Sequence, residues 1–236
     1  MKARTLTTAV ALALTLVASA LTLVASEPTP ETARAADVPK EQRFSVMCQP
    51  VHQAPEDPFL DPIGTDNDHV HQFFGTTGIR TWPNDPVDKE AGMRGVPTSC
   101  GFEGDTASYW VPMFMDRNGN MVEPTQVLVY YRHNKSEPVV PHPEGMLLKS
   151  FQVEWGCKDF EKFDHPVDCA DRDLRFRVIF KPVNVPGGVT PRIAMNVRFD
   201  TQQGQGGHIM GGASGEHGNF FNTWDQDAYT GLINLC

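Results

Sequence analysis

The sequence predicts a mainly β protein, a single-domain antiparallel β-sandwich of the jelly-roll type with long loops and disulfide bonds. Short runs rich in β-branched and aromatic residues recur along the chain, separated by Pro, Gly, Asn and Asp, as an all-β sandwich requires. The chain contains 19 prolines and 20 glycines, which favour turns and long connections. Beyond the N-terminal segment, no stretch reads as a long amphipathic helix.

Seven strands are predicted from these runs. Residues 127–131 and 175–180 are the clearest, and the second run alternates apolar and charged side chains at its start, as a half-buried strand does. The full set covers residues 43–49, 70–74, 109–115, 126–132, 147–155, 174–181 and 192–199.

The segment from Asp116 to Asn120 joins two of these runs and contains Asn118-Gly119, the strongest short signal for a β-hairpin. The same segment has the opening spacing of a calcium-binding loop, but Val127 stands where the closing glutamate belongs. We therefore predict a hairpin at this position.

The N-terminus is predicted to be a signal peptide over residues 1–36. Lys2 and Arg4 precede an apolar run over residues 6–25, and small residues suited to cleavage follow it. The alternative is a retained membrane anchor, because the run is nearly long enough to span a bilayer. Residues 37–42 would then be a disordered lead-in to a single secreted domain over residues 43–236, without stable membrane anchoring after cleavage.

The formal net charge of −9 argues against two classes of partner. An acidic surface repels nucleic acid and anionic membranes, so neither is expected to bind. Net charge places no such restriction on a neutral glycan. We therefore predict an extracellular protein for which a glycan is the candidate partner.

The five cysteines of an exported chain are expected to form disulfides. Cys157 and Cys169 flank a short charged loop and are the best local pair. Cys48, Cys100 and Cys236 then compete for one further bridge, which leaves one thiol odd. A bridge from Cys48 to Cys236 would tie the two ends of the domain together.

The segment Asp68-His69-Val70-His71 is the most informative stretch of the chain. In a strand, His69 and His71 project from the same face, because side chains alternate with a period of two. Asp61 and Asp68 lie in the loop that leads into this pair. A catalytic site could use a histidine as general acid or base, with Asp61 or Asp68 orienting it or acting alongside it. The alternative is a histidine that bonds a loop backbone beside solvated acids.

The same histidines could instead ligate a metal. His69, His71 and one carboxylate of the preceding loop would be ligands, and His217 or His208 would complete the set. A divalent metal is therefore the one cofactor that the sequence suggests.

A glycine-rich C-terminal segment supplies candidate substrate-binding residues. His217, Asn219, Trp224 and Asp225 combine an imidazole, an amide, an aromatic ring and an acid within ten positions, a composition suited to holding a sugar. Tyr109 could present its hydroxyl to the same site. The alternative is a C-terminal core strand in which Trp224 is buried, and both interpretations can hold at once.

Several motifs follow one another along the chain: Asp61-Pro62-Ile63, His69-Val70-His71, Phe74-Gly75, Cys100, Ser108-Tyr109-Trp110-Val111-Pro112, Tyr130-Tyr131, His217-Gly218-Asn219-Phe220 and Trp224-Asp225. In this order they resemble one protein family, the secreted domains of unknown function numbered nineteen-ninety-six, in its bacterial branch. The resemblance implies an extracellular protein, and fungal members of the family often carry appended wall- or glycan-binding modules. It also implies a shared site at the three histidines, which match prominent positions of the family motif. The fungal pattern has an additional Cys- and Trp-bearing segment where residues 180–183 stand here, so roles of that segment do not transfer.

Three functions remain open from the sequence. The first is a carbohydrate-active hydrolase or lyase that acts on extracellular polysaccharide. The second is a non-catalytic cell-wall or glycan-binding protein, and the third is a metalloprotein with histidine ligands. The motifs of serine hydrolases, zincins and thioredoxin-like proteins do not occur in the chain.

Overall fold

The structure is a computed structural model that describes residues 41–55, 69–77, 95–134, 137–158, 161–211 and 215–236. All of these residues belong to one compact unit, Pro39–Cys236. In chain order the elements are β1 Glu41–Cys48, β2 Pro50–Ala54, β3 His71–Gly75, β4 Ser108–Pro112, β5 Phe114–Met115, β6 Met121–Val122, β7 Pro124–Asn134, β8 Leu147–Ser150, β9 Val153–Gly156, β10 Leu174–Phe180, β11 Asn184–Val185, β12 Gly188–Val189, β13 Arg192–Phe199, β14 His208–Ile209, β15 Gly218–Phe221 and the helix α1 Gln226–Leu235.

Two five-stranded antiparallel sheets form the body of the protein. The first sheet has the order β1-β7-β13-β10-β9, and the second has the order β2-β3-β4-β15-β8. Strands β5, β6 and β14 form a small third sheet, and β11 pairs with β12. The fold class is therefore the antiparallel β-sandwich predicted from the sequence.

The main core lies between the two large sheets. Tyr131 and Phe176 from the first sheet and Tyr109 and Phe220 from the second are fully buried in one apolar cluster. Alternate residues of the second sheet point the other way and form a smaller cluster around Phe73, Trp110 and Phe221. We call this second side of the sheet its outer face, and it carries the candidate site.

The predicted strands are all present, with two changes. The run over 147–155 is two strands that pair in different sheets, β8 with β15 and β9 with β10. The run over 109–115 is divided at Met113 into β4 and β5. Strand β1 begins at Glu41, within the segment expected to be a lead-in.

The predicted elements do not include β2, β15, α1 and the two-residue strands β6, β11, β12 and β14. A strand in the C-terminal segment is predicted only as the alternative to a substrate-binding segment, and β15 is that strand. Helix α1 has 10 residues, and its N-terminus is capped by the side chain of Asp225, which accepts a hydrogen bond from the backbone N–H of Ala228. So short a helix gives a weak periodic signal, because only Tyr229 and Ile233 are buried.

The predicted hairpin is confirmed. Strands β5 and β6 pair directly, and the Asp116 carboxylate accepts hydrogen bonds from the backbone N–H groups of Asn118 and Asn120. Gly119 has a φ of 78°, a left-handed conformation that glycine adopts without strain.

The disulfide prediction is confirmed for Cys157–Cys169, and the second bridge joins Cys48 to Cys100. The proposed Cys48–Cys236 bridge is wrong, and Cys236 is a free thiol. The reason is topological, because Cys48 and Cys100 face each other across an isolated β-bridge. None of the helices within the described ranges has the length and apolar character needed to cross a membrane.

Candidate metal centre

His69, His71 and His217 meet at one point on the outer face. His71 opens β3, His69 lies two residues before it, and His217 immediately precedes β15. His71 and His217 are each 1% exposed, whereas His69 is partly exposed. The site is therefore buried at His71 and His217 and open toward solvent at His69.

Their Nε2 atoms converge. The Nε2 of His71 lies 3.1 Å from that of His69 and 3.3 Å from that of His217. The candidate ligand nitrogens of all three residues lie within 4.8 Å of one another. The rings are inclined to each other, with interplanar angles of 54° for His69 and His71 and 62° for His71 and His217, so they do not stack.

Strand pairing explains how residues so distant in sequence meet. His71 pairs with Pro112 across β3 and β4, and Asn219 pairs with Trp110 across β4 and β15. Continuing this antiparallel register by two residues, back from Asn219 and forward from Trp110, places His217 across from Pro112. His71 and His217 therefore lie on either side of Pro112 on the same face of the sheet, and their side chains meet above the small proline ring.

The spacing fits a metal ion. Two nitrogens that each lie about 2.0–2.1 Å from a tetrahedral ion are about 3.3 Å apart. The two measured Nε2 separations, 3.1 and 3.3 Å, are close to this value. The residues present therefore fit a divalent transition ion, the kind that imidazole nitrogen prefers.

Hydrogen bonding alone accounts less well for the geometry. A neutral imidazole nitrogen carries either one proton or one lone pair. The Nε2 of His71 has two Nε2 neighbours, so it can make one good hydrogen bond but not two. A cation accepts the lone pairs of all three nitrogens at once.

The backbone at Gly211 lies against the Nδ1 side of the His69 ring. A Cβ atom added at Gly211 would lie 3.1 Å from the Nδ1 atom of His69, and the residue has a φ of 89°. The backbone thus approaches the imidazole more closely than any other residue type allows. Contacts to the outer nitrogen of a ligating imidazole fix the orientation of its ring.

A second row of side chains lies beside the histidines on the same face. Phe73, Trp110, Asn219 and Lys149 follow one another across four strands by direct pairing. Asn219 is fully buried, and both polar atoms of its side chain lack a hydrogen-bond partner. A buried amide in this state costs about 1–3 kcal/mol, which makes Asn219 a candidate for contact with a bound group.

The edge of the site contains two residues that the sequence analysis missed. Gly218 pairs with Ser150, so the adjacent His217 and Phe151 lie beside each other, with ring centroids 5.9 Å apart. Phe151 is 62% exposed. The ammonium of Lys149 lies 5.5 Å from the centroid of the Phe151 ring. The sequence gives little signal for these two residues, because the run over 147–155 reads as one continuous strand, whereas the structure ends β8 at Ser150.

Two predicted substrate-binding residues lie in the main core instead. Tyr109 and Trp224 belong to the apolar cluster between the two sheets, so neither lies on the outer face that carries the three histidines. The Trp224 Nε1–H donates to the hydroxyl of Tyr131 at 3.0 Å. Burial therefore corrects both assignments.

The remaining candidates are dispersed. Asp225 caps α1, and His208 is exposed on β14 and is not a member of the three-histidine cluster. Asn219 stays a candidate on the outer face. The proposed catalytic residues Asp61 and Asp68 lie outside the described residues.

Asp105 forms a separate buried polar cluster. Its carboxyl group accepts hydrogen bonds from the Tyr109 hydroxyl at 2.8 and 2.9 Å, and the Tyr109 and Tyr131 hydroxyls lie 2.5 Å apart. Burial raises the pKa of Asp105 to about 8 and raises the pKa of Tyr109 well above its usual value. The whole cluster is fully buried, which favours a structural role.

The sequence model of one protein family matches residues 57–180, and that family is described as "Domain of unknown function (DUF1996)". The matched range is just over half of the chain. The chain belongs to the DUF1996 family. The range includes His69 and His71 and ends before His217, so the third histidine joins the DUF1996 segment through the pairing of β15 with β4. No curated protein and no solved structure matches the chain.

Proposed function

We propose that this protein is an extracellular metalloprotein that binds one divalent transition ion through the Nε2 atoms of His69, His71 and His217. The observation that carries the proposal is the convergence of these atoms at 3.1 and 3.3 Å. Of the three functions that the sequence left open, this one has the most direct geometric support.

A catalytic role is part of the proposal. Structural zinc sites use four protein ligands, whereas catalytic sites use three and leave a position for water or substrate. The described residues supply three ligands. An ion held in this way would polarise a substrate oxygen or lower the pKa of a bound water, whose oxygen could then bond to the anomeric carbon as the glycosidic C–O bond breaks and the leaving oxygen takes up a proton. We propose hydrolysis of an extracellular polysaccharide as the reaction.

Different residues of the protein would hold the ligating rings in place and contact a bound group. The buried His71 and His217 hold their rings in fixed positions within the sheet, and the backbone at Gly211 restrains His69. Asn219 offers one donor and one acceptor to a bound oxygen group. Phe151 presents an exposed ring at the rim.

Secretion is proposed on two grounds. Residues 1–36 have the composition of a signal peptide, and two disulfides require an oxidising compartment. Expression with the leader should give a protein in the medium whose mass lacks the first residues. A full-length protein retained in the membrane fraction would contradict this.

Metal stoichiometry tests the central proposal. The purified protein, loaded with zinc and freed of excess ion, should contain about one zinc per chain. The variants His71→Ala and His217→Ala should each lose this zinc, because the two remaining histidines hold the ion weakly. His208→Ala is the matched control, since His208 is exposed and outside the cluster, and it should keep the metal. Zinc, copper and nickel should be tried in turn. Failure of all three to bind, or equal binding by the His71→Ala variant, would refute the proposal.

A further inference from the structure

We propose that the Cys48–Cys100 disulfide is a site of thiol–disulfide exchange, at which a small-molecule thiol attacks Cys100 and Asp105 donates a proton to the departing Cys48 sulfur. This inference is independent of the proposed metal site. It is carried by the position of Asp105 beside the two sulfurs, by the unequal exposure of the two cysteines and by the backbone hydrogen bonds on either side of the bridge.

The first observation is the position of the Asp105 carboxyl group. The two sulfurs of Cys48 and Cys100 and a carboxyl oxygen of Asp105 all lie within 4.8 Å of one another. Asp105 is fully buried, and burial raises its pKa to about 8, so it carries a proton at neutral pH. A protonated acid therefore lies close to a disulfide, in addition to its structural role in the core.

The second observation is the difference in exposure between the two cysteines. Cys48 is fully buried, whereas Cys100 is 8% exposed and lines a surface groove together with Thr98, Gly101 and Glu103. Exchange depends on which sulfur a thiolate can reach. A thiolate that enters the groove meets Cys100, so the sulfur of Cys48 is the leaving group.

The departing sulfur needs a proton. The attacking thiolate forms a new S–S bond to Cys100 as the Cys48–Cys100 bond breaks, and both bonding electrons leave with the Cys48 sulfur. Burial in an apolar cluster disfavours this charge, so the proton of Asp105 moves to the sulfur. The carboxylate that remains accepts hydrogen bonds from the Tyr109 hydroxyl at 2.8 Å and the Ala107 N–H at 3.2 Å. A second thiol then releases Cys100 from the mixed disulfide, and the two external thiols leave as a disulfide.

The third observation is the backbone around the bridge. Cys48 and Cys100 face each other across an isolated antiparallel β-bridge, and hydrogen bonds of 2.8 and 3.1 Å join the backbones of residues 47–49 and 99–101 on either side of it. These hydrogen bonds do not involve the sulfurs, so they keep the two thiols opposite each other after reduction. The Asp105 carboxylate can then take the proton back as the disulfide re-forms, which makes the exchange reversible.

Timed alkylation followed by peptide mass spectrometry tests the inference. The purified protein is incubated with 2-mercaptoethanol at neutral pH without denaturant, and the opening of each disulfide is followed separately. We expect Cys48–Cys100 to open in the folded protein, with the transient mixed disulfide on Cys100. Asp105→Asn cannot donate the proton and should slow this opening about tenfold or more, while the rate at Cys157–Cys169 stays unchanged.

Glu103→Gln is the matched control, since Glu103 is an exposed acid in the same groove, and its Cys48–Cys100 bridge should open at the parent's rate. Equal opening rates in Asp105→Asn and the parent would overturn the role of Asp105. Opening only at urea concentrations that unfold the protein, or a mixed disulfide on Cys48, would overturn the exchange site. Both of these measurements use the parent protein, so they decide the proposal even where Asp105→Asn does not fold.

Discussion

The Nε2 atoms of His71 and His217 lie 3.3 Å apart, although 146 positions separate the two residues in the chain. Strand pairing creates this contact, because β4 lies between β3 and β15 in the second sheet. The third ligand, His69, is supplied by the same segment as His71. Of the three histidines only His71 lies within a strand, while His69 precedes β3 and His217 precedes β15, so the candidate centre lies at one end of adjoining strands.

Replacing Gly211 by alanine should weaken zinc binding. The added Cβ would lie 3.1 Å from the Nδ1 of His69, so the ring must shift away from the common point of the three Nε2 atoms. We expect at least a tenfold loss of zinc affinity, the scale seen when contacts behind a ligating histidine are removed. Competition with a chromogenic chelator measures it.

Gly119→Ala is the matched control for this change. Gly119 also has a positive φ, 78°, but a Cβ there meets nothing within 4 Å. Both variants should lose some stability from backbone strain, and only Gly211→Ala should lose zinc affinity. Equal zinc affinity in the two variants would show that Gly211 does not position His69.

Asn219→Leu should stabilise the protein. Leucine has nearly the same shape as asparagine, and the row contains Phe73 and Trp110, so removing the unsatisfied amide should raise the free energy of unfolding by about 1–3 kcal/mol. Urea unfolding at neutral pH measures the change. A destabilised Asn219→Leu protein would indicate that the amide is satisfied in solution.

The stability of the protein should fall as the pH rises from about 5 to 8 because of Asp105. Burial raises the pKa of this carboxyl group to about 8 from 3.8. Between these values the folded protein keeps a proton that the unfolded chain has lost, so the free energy of unfolding decreases with pH. Asp105→Asn cannot titrate. Over this range, the wild type should lose on the order of a few kcal/mol more than the variant in urea unfolding. Equal pH slopes would contradict the assignment.

His142 should act in the opposite direction at acidic pH. Burial lowers its pKa to about 3 from 6.5, and its Nδ1 lies 2.7 Å from the Tyr229 hydroxyl. Below pH 6.5 the unfolded chain therefore binds a proton that the folded protein does not bind. The free energy of unfolding decreases as the pH falls from about 6.5 to 3. His142→Gln should reduce this acid sensitivity relative to wild type. His165→Gln, at an exposed histidine, is the control.

The two disulfides should contribute unequally to stability. Cys48–Cys100 closes a separation of 52 residues, and Cys157–Cys169 closes one of 12. The chain-entropy relation gives about 4 kcal/mol for the longer loop and about 3 kcal/mol for the shorter one. Paired Cys→Ser variants, compared by thermal unfolding, should show the larger loss for Cys48 and Cys100. The reverse order would indicate that structure persists in the unfolded chain.

By itself, the sequence determined the fold class, the strands, the hairpin at Asn118-Gly119 and the Cys157–Cys169 disulfide. These are local features, since periodicity, turn chemistry and short loop closure act between residues near each other in the chain. It also singled out His69 and His71, because two histidines at strand spacing are expected to share a face, and it offered His217 and His208 as alternative partners for them.

Only the tertiary structure decided which distant residues meet. It brought His217 rather than His208 to the pair, joined Cys48 to Cys100 and moved Tyr109 and Trp224 from the predicted site into the core. It also placed Phe151 at the rim of the site. Each of these outcomes depends on the order of strands in the sheets and on which face a side chain takes. Composition does not encode that order, because aromatic and polar residues serve equally well in a core and in a binding site.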